Sequence, residues 1–138
     1  MNIEAIREIL GEADKYSEQE MYEDALKLYF RAMKYVHNPI IDYEISTEII
    51  TCIGDTYFFM GDFDKADQSF NDVMMCPNAT ANPYIRLRRG EVALELGNIV
   101  KARTELACAF MNGGMEIFDG EDNKYLEFIK DFIEQRRG

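Results

Sequence analysis

The sequence predicts an all-α fold, an α-solenoid of three helical hairpins in series closed by a C-terminal capping helix. Three observations carry this. Apolar residues recur at three- and four-residue spacing along the whole chain. Breakers fall between those stripes so as to leave about seven helices and no strand. A set of landmarks also returns at one constant offset, the mark of a repeat architecture.

The elements follow in order. Ile3, Ile6, Ile9 and Leu10 make the first apolar stripe, and Ala25, Leu28, Tyr29 and Ala32 the second. Asn38-Pro39 interrupts the pattern, as do Gly61-Asp62, the run CPNATANP from Cys76 to Pro83, Gly97-Asn98 and the NGG at 112–114. The last stripe is Tyr125, Phe128, Ile129, Phe132 and Ile133, with Glu127, Lys130, Asp131 and Glu134 opposite. It predicts a capping helix over 120–136, with Asp119 as its N-cap, that covers the apolar face the last hairpin would otherwise expose. An amphipathic helix that binds a partner is the alternative use of this segment.

Gly54 to Gly90, Gly61 to Gly97 and Ala66 to Ala102 are each 36 residues apart. A fainter copy precedes them: in ADKYSEQEMYEDALKLY, Tyr22, Ala25 and Tyr29 parallel Phe63, Ala66 and Phe70. Ala25 lies 41 residues before Ala66, so the first junction is longer. The chain resembles the tetratricopeptide repeat family, whose pattern places a large residue, a glycine and a tyrosine on one helix and an alanine, an aromatic and a proline on the next. The middle unit carries it with Ile50, Ile53, Gly54, Tyr57, Ala66, Phe70 and Pro77. The third keeps Gly90, Ala102 and Leu106 but has Arg86, Arg89 and Ala93 where large apolar residues belong, and the first replaces the helix glycine by Ala13. The resemblance implies one domain over 1–138, with repeats over 6–39, 47–78 and 83–114.

In such a hairpin two helices cross closely, so Gly54 and Gly90 on the first helices and Ala66 and Ala102 on the second are expected at the contact. Gly61 and Gly97 are expected as left-handed helix caps. Neither GxGxxG nor GxxxxGK[ST] is present, so the glycines are joints and not a phosphate loop.

Composition excludes several function classes. The 138 residues, 47% hydrophobic and 30% charged, suit one soluble folded domain. No run is long enough to span a membrane, and MNIEAIREIL lacks the features of a secretory signal, so a cytoplasmic location is expected. The net charge of −11, concentrated in the middle third, disfavours nucleic acid. Cys52, Cys76 and Cys108 are too widely spaced for a zinc or redox motif and read as reduced thiols. His37 stands alone among the histidines, and GDFDKAD departs from the calcium-loop spacing; no metal and no cofactor are expected. Asp55, Glu91 and Glu95 offer a remote hydrolase reading; a non-enzymatic role is expected.

The resemblance implies that first helices line a concave protein-binding groove, here with Leu10, Asp14, Thr51, Asp55, Phe58, Tyr84, Leu87, Arg88 and Glu91. Some family members clamp a chaperone's C-terminal carboxylate; of the matching positions Leu10, Asp14, Cys52, Tyr84 and Arg88, only the arginine is suited, and Asp14 would repel that group. The expected partner is therefore a protein or peptide of another kind. One reading masks a basic partner, as the immunity protein of a toxin does. The alternative resembles secretion chaperones that hold an extended apolar segment of an exported protein. Within the third repeat Arg88 is expected in the groove and Arg89 in an internal ion pair, since consecutive side chains leave a helix about 100° apart.

Overall fold

The computed structural model describes residues 1–137 and contains no strand among them. The chain divides into two compact units, Met1–Ala79 and a second that begins at Thr80.

The first unit holds two hairpins. α1 (Ile3–Glu18) and α2 (Tyr22–Lys34) form one, and α3 (Glu44–Met60) and α4 (Phe63–Asp72) the other, with 3-10 turns at Ile40–Asp42 and Val73–Met75. Asn2 caps α1 by accepting from the Ala5 N–H at 3.1 Å, and Asp62 caps α4 by accepting from the Lys65 N–H at 3.3 Å. Asp62 thus acts as an interhelical cap within the GDFDKAD stretch. Gly61 ends α3 at φ +78°, where a side chain would be strained. The core unites Ile6, Leu10 and Ala13 of α1 with Ala25 and Tyr29 of α2 and Ile45, Ile49 and Ile53 of α3. The two apolar stripes of the first hairpin therefore close on the second, because one hairpin cannot bury its own face.

The close crossings fall where the repeat places them. A Cβ on Gly54 would stand 2.7 Å from the Phe70 ring, and one on Gly90 2.5 Å from Leu106 Cγ. Ala66 and Ala102 are fully buried. Complete burial of a side chain such as Phe70 contributes about 1.5–3 kcal/mol, which the absent glycine side chain makes possible.

The second unit comprises α5 (Pro83–Glu95), α6 (Ile99–Gly113), a 3-10 turn at Met115–Phe118, α7 (Asn123–Phe128) and α8 (Lys130–Arg137). Asn82 caps α5 by accepting from the N–H groups of Tyr84 and Ile85, and Pro83 takes the first position, where no N–H is needed. Tyr125, Ile129 and Ile133 are buried with Phe118 and Leu106 in the core of this unit.

Two expectations for the C-terminal segment are corrected. The cap is not one helix over 120–136 but two short ones that meet at Ile129, whose backbone leaves the helical region at φ −109°, ψ 16°. Ile129 is β-branched and completely buried, and its packing outweighs helical continuity. The N-cap is Asp122, which accepts from the Lys124 N–H at 3.0 Å; Asp119 instead follows the Met115–Phe118 turn and precedes Gly120 at φ +81°.

Candidate protein-binding surface

In the first unit the expected groove residues divide between interior and surface. Leu10 is buried in the core, and the half-buried Thr51 hydroxyl donates to the Thr47 carbonyl at 2.7 Å. Asp14 is exposed and accepts from the Tyr29 hydroxyl at 2.6 Å. Burial and that bond push the Tyr29 hydroxyl well above its ordinary pKa. Arg7 of α1 and Glu48 of α3 pair at 2.9 Å, so the two first helices present neighbouring side chains. Their shared face is acidic. Burial, then the charges of Asp14, Asp55 and Glu48, push the Cys52 thiol up to about 12.

Phe58 lies in a row of aromatic rings that sequence reading did not assemble. Its ring meets Phe59 at 5.6 Å and Phe63 at 5.8 Å, both edge-on, and Phe59 stacks on Tyr22 at 6.2 Å between centroids. Phe59 is 50% exposed, and Met21, next to Tyr22 in sequence, and Met60, next to Phe59, are also exposed. The row gathers the end of α3 with the starts of α2 and α4, the junction where repeats bring helix ends together. Repeat position matches Tyr22 with Phe63, but it gives no sign that the two meet the consecutive Phe59 and Phe58, respectively.

The second unit treats its expected residues differently. Leu87, Arg88 and Glu91 are all buried, and Tyr84 keeps partial exposure. The groove position expected for Arg88 is thereby corrected: its side chain lies inside the unit, at 4% exposure. The physical reason is the company it finds. Arg88 Nη1 donates to Glu91 Oε1 at 2.7 Å and to Glu121, and Nε donates to the Tyr84 hydroxyl at 3.2 Å, with the guanidinium over the Tyr84 ring. A buried guanidinium with two carboxylates and a ring is fully served, so the cost of its burial is offset. Glu121 comes from the segment before α7, 33 residues on, which spacing alone could not bring back to α5.

Glu91 is the most constrained member of this cluster. Burial, then the neighbouring Glu121 carboxyl, push its pKa up to about 8, against the lowering effect of Arg88. Arg86 and Arg89 turn to one acid of α6: Arg86 Nη1 lies 3.1 Å from Glu105 Oε2 and Arg89 Nε 3.4 Å from it. Arg89 is internally paired, as its helical position relative to Arg88 suggests. Glu95 receives Lys124 and the Tyr125 hydroxyl, the latter at 2.9 Å, and these bonds hold its pKa below the usual value despite partial burial. Glu91 and Glu95, the acids weighed for hydrolysis, are thus both engaged in holding α5 to the C-terminal segment.

Among the described residues no group of three His, Cys, Asp or Glu is arranged to hold a metal ion, and no helix is long and apolar enough to cross a membrane.

No family model matches the sequence, and no curated protein does. The chain is similar in structure to the Yersinia enterocolitica type III secretion chaperone SycD, solved in complex with a peptide of the translocator YopD. The match has a TM-score of 0.72 at 15% sequence identity and covers 96% of this chain and 95% of that one. At that identity the likeness establishes the all-α helical-repeat fold.

Proposed function

We propose that this protein is a non-enzymatic scaffold that holds an apolar segment of another protein, in the manner of a secretion chaperone. The observation that carries this reading is the aromatic row of the first unit, with Phe59 half exposed and the exposed Met21 and Met60 flanking Tyr22 and Phe59 in sequence. A contiguous apolar surface of this kind has a cost in water unless it is used, and aromatic and methionine side chains are the ones that anchor extended partners. Asp14, Thr51, Asp55 and Phe58 on the first helices are its proposed neighbours in contact with the guest. The peptide bound to SycD, a protein of the same fold, supports the same use of the fold here.

A second reading rests on charge. The first unit contains 6 basic and 16 acidic residues, a net −10, whereas the rest of the chain is close to neutral at −1. Such a unit could mask a basic partner. Salt separates the two: apolar capture persists at high ionic strength and charge masking weakens steeply.

The test compares wild type and Phe59→Asp as baits in the native cell extract, read by quantitative mass spectrometry. Because Phe59 is half exposed, the variant should fold. A partner enriched by wild type, lost with Phe59→Asp and retained in high salt supports the proposal. Equal capture by both baits contradicts it.

A further inference from the structure

A second groove lies on a different side of the first unit. It encloses about 370 Å³. Its floor is Ile50 and Ile53 of α3, and its walls are Phe30 and Met33 of α2 and Met75 beyond α4. Ile40 and Ile41 line it as well, so nearly every lining side chain is apolar. Ser69 and Asp72 of α4 are the polar exceptions, and both, with Phe30, also line an adjoining space of about 300 Å³ that adds Tyr57, Lys65 and Gln68. The two spaces therefore form one channel with an apolar part and a polar part.

This is not the surface of the aromatic row. On α3 the channel follows Ile50, Ile53 and Tyr57, while Thr51 and Phe58 lie one residue further round and Asp55 two past Ile53, about 100° or more away. Nor is it closed by the fold: Phe30 is 44% and Met75 70% exposed.

We infer that this channel is a second docking site, and that its occupant is an amphipathic helix of a partner protein, with two bulky apolar side chains one turn apart and a Lys or Arg beside them. Length supports a helix: Ile50 to Tyr57 spans about 10 Å, two turns, which matches two apolar anchors at i and i+4 followed by a cation one further turn on. Charge supports the cation. Asp72 is exposed, belongs to both parts of the channel and forms no ion pair among the described residues. The lining cation, Lys65, is engaged by Asp62 at 3.8 Å and lies over the Tyr57 ring. Charge also opposes a second copy of this chain, since a like unit carrying −10 would be brought against this one.

The test uses protein labelled with ¹³C at its methionine methyls, because Met33 and Met75 line the channel while Met21 and Met60 flank the aromatic row. The probe is a synthetic helical peptide of about 14 residues with two leucines four apart and an arginine one turn on. It should shift the Met33 and Met75 signals and leave Met21 and Met60 in place. Replacing its arginine by glutamate should weaken binding about tenfold or more, and Asp72→Lys should reverse that preference. Met75→Glu, at an exposed position, should remove binding while circular dichroism stays unchanged; Phe30→Glu is the second variant should that one unfold. Shifts at Met21 and Met60 in place of Met33 and Met75, no binding at all, or equal affinity for both peptides would overturn the inference. So would self-association of the wild type that Met75→Glu abolishes, since the channel would then hold a second copy.

Discussion

Phe70 fills the space that a side chain at Gly54 would need: a Cβ there would stand 2.7 Å from the ring carbons Cε2 and Cζ. Leu106 does the same to Gly90, with its backbone nitrogen also within 3.0 Å of the added atom. Gly54→Ala should therefore destabilise the protein by about 1–3 kcal/mol, and Gly90→Ala by at least as much, because a backbone atom yields less readily than a ring. Urea denaturation of both variants measures this. Unchanged midpoints would mean that the hairpins do not cross where these contacts place them.

Arg88 joins α5 to Glu121 across 33 residues of sequence. Arg88→Ala should cost about 3–5 kcal/mol, since it removes the buried donor shared by Glu91, Glu121 and the Tyr84 hydroxyl. Thermal melting provides the value, and a loss below about 1 kcal/mol is what a solvated surface arginine would give.

Glu91 makes stability depend on pH in a defined direction. Its folded pKa, about 8, exceeds the ordinary 4.5, so the folded protein holds a proton that the unfolded chain releases. The contribution is fully present below 4.5, declines as the pH rises towards 8 and is absent above it. Melting temperatures measured from pH 5 to pH 8 should fall more in wild type than in Glu91→Gln. Parallel curves would show that Glu91 does not titrate in this window.

Cys52 should resist alkylation. Raised to about 12 by burial and by nearby acids, its thiol should react roughly a thousandfold more slowly at pH 8 in the native protein than in urea. Mass spectrometry of partially labelled protein locates the slow site. Native labelling of Cys52 at the unfolded rate would refute the acidic, partly buried setting given to it.

Local chemistry accounts for what was legible in the sequence. The 36-residue offset places Gly54, Gly90, Ala66 and Ala102 at the helix crossings, because close crossings admit few residue types, while Phe70 and Leu106 as the side chains facing the glycines are seen only in the structure. Gly61 and Gly97 adopt positive φ because the turn demands it. Return contacts were not legible. Glu121 and Glu105 show no periodicity that links them to the arginines they receive, so nothing in the sequence draws Arg88 away from the groove position that the family resemblance implies. The aromatic row was missed for a related reason: Tyr22 and Phe59 are 37 residues apart, and each alone reads as ordinary packing. The break at Ile129 escaped because a helical stripe does not reveal which residue the core will claim.

The most direct test of the central claim places a photo-crosslinking amino acid at position 59 in the native cell, with the same group at Val100 as the comparison, a site 79% exposed in the second unit. If the aromatic row holds an apolar segment of a partner, position 59 should give a discrete adduct whose mapped peptide is rich in apolar residues, and position 100 should not. Matching adducts at both positions, or none at position 59, would contradict it.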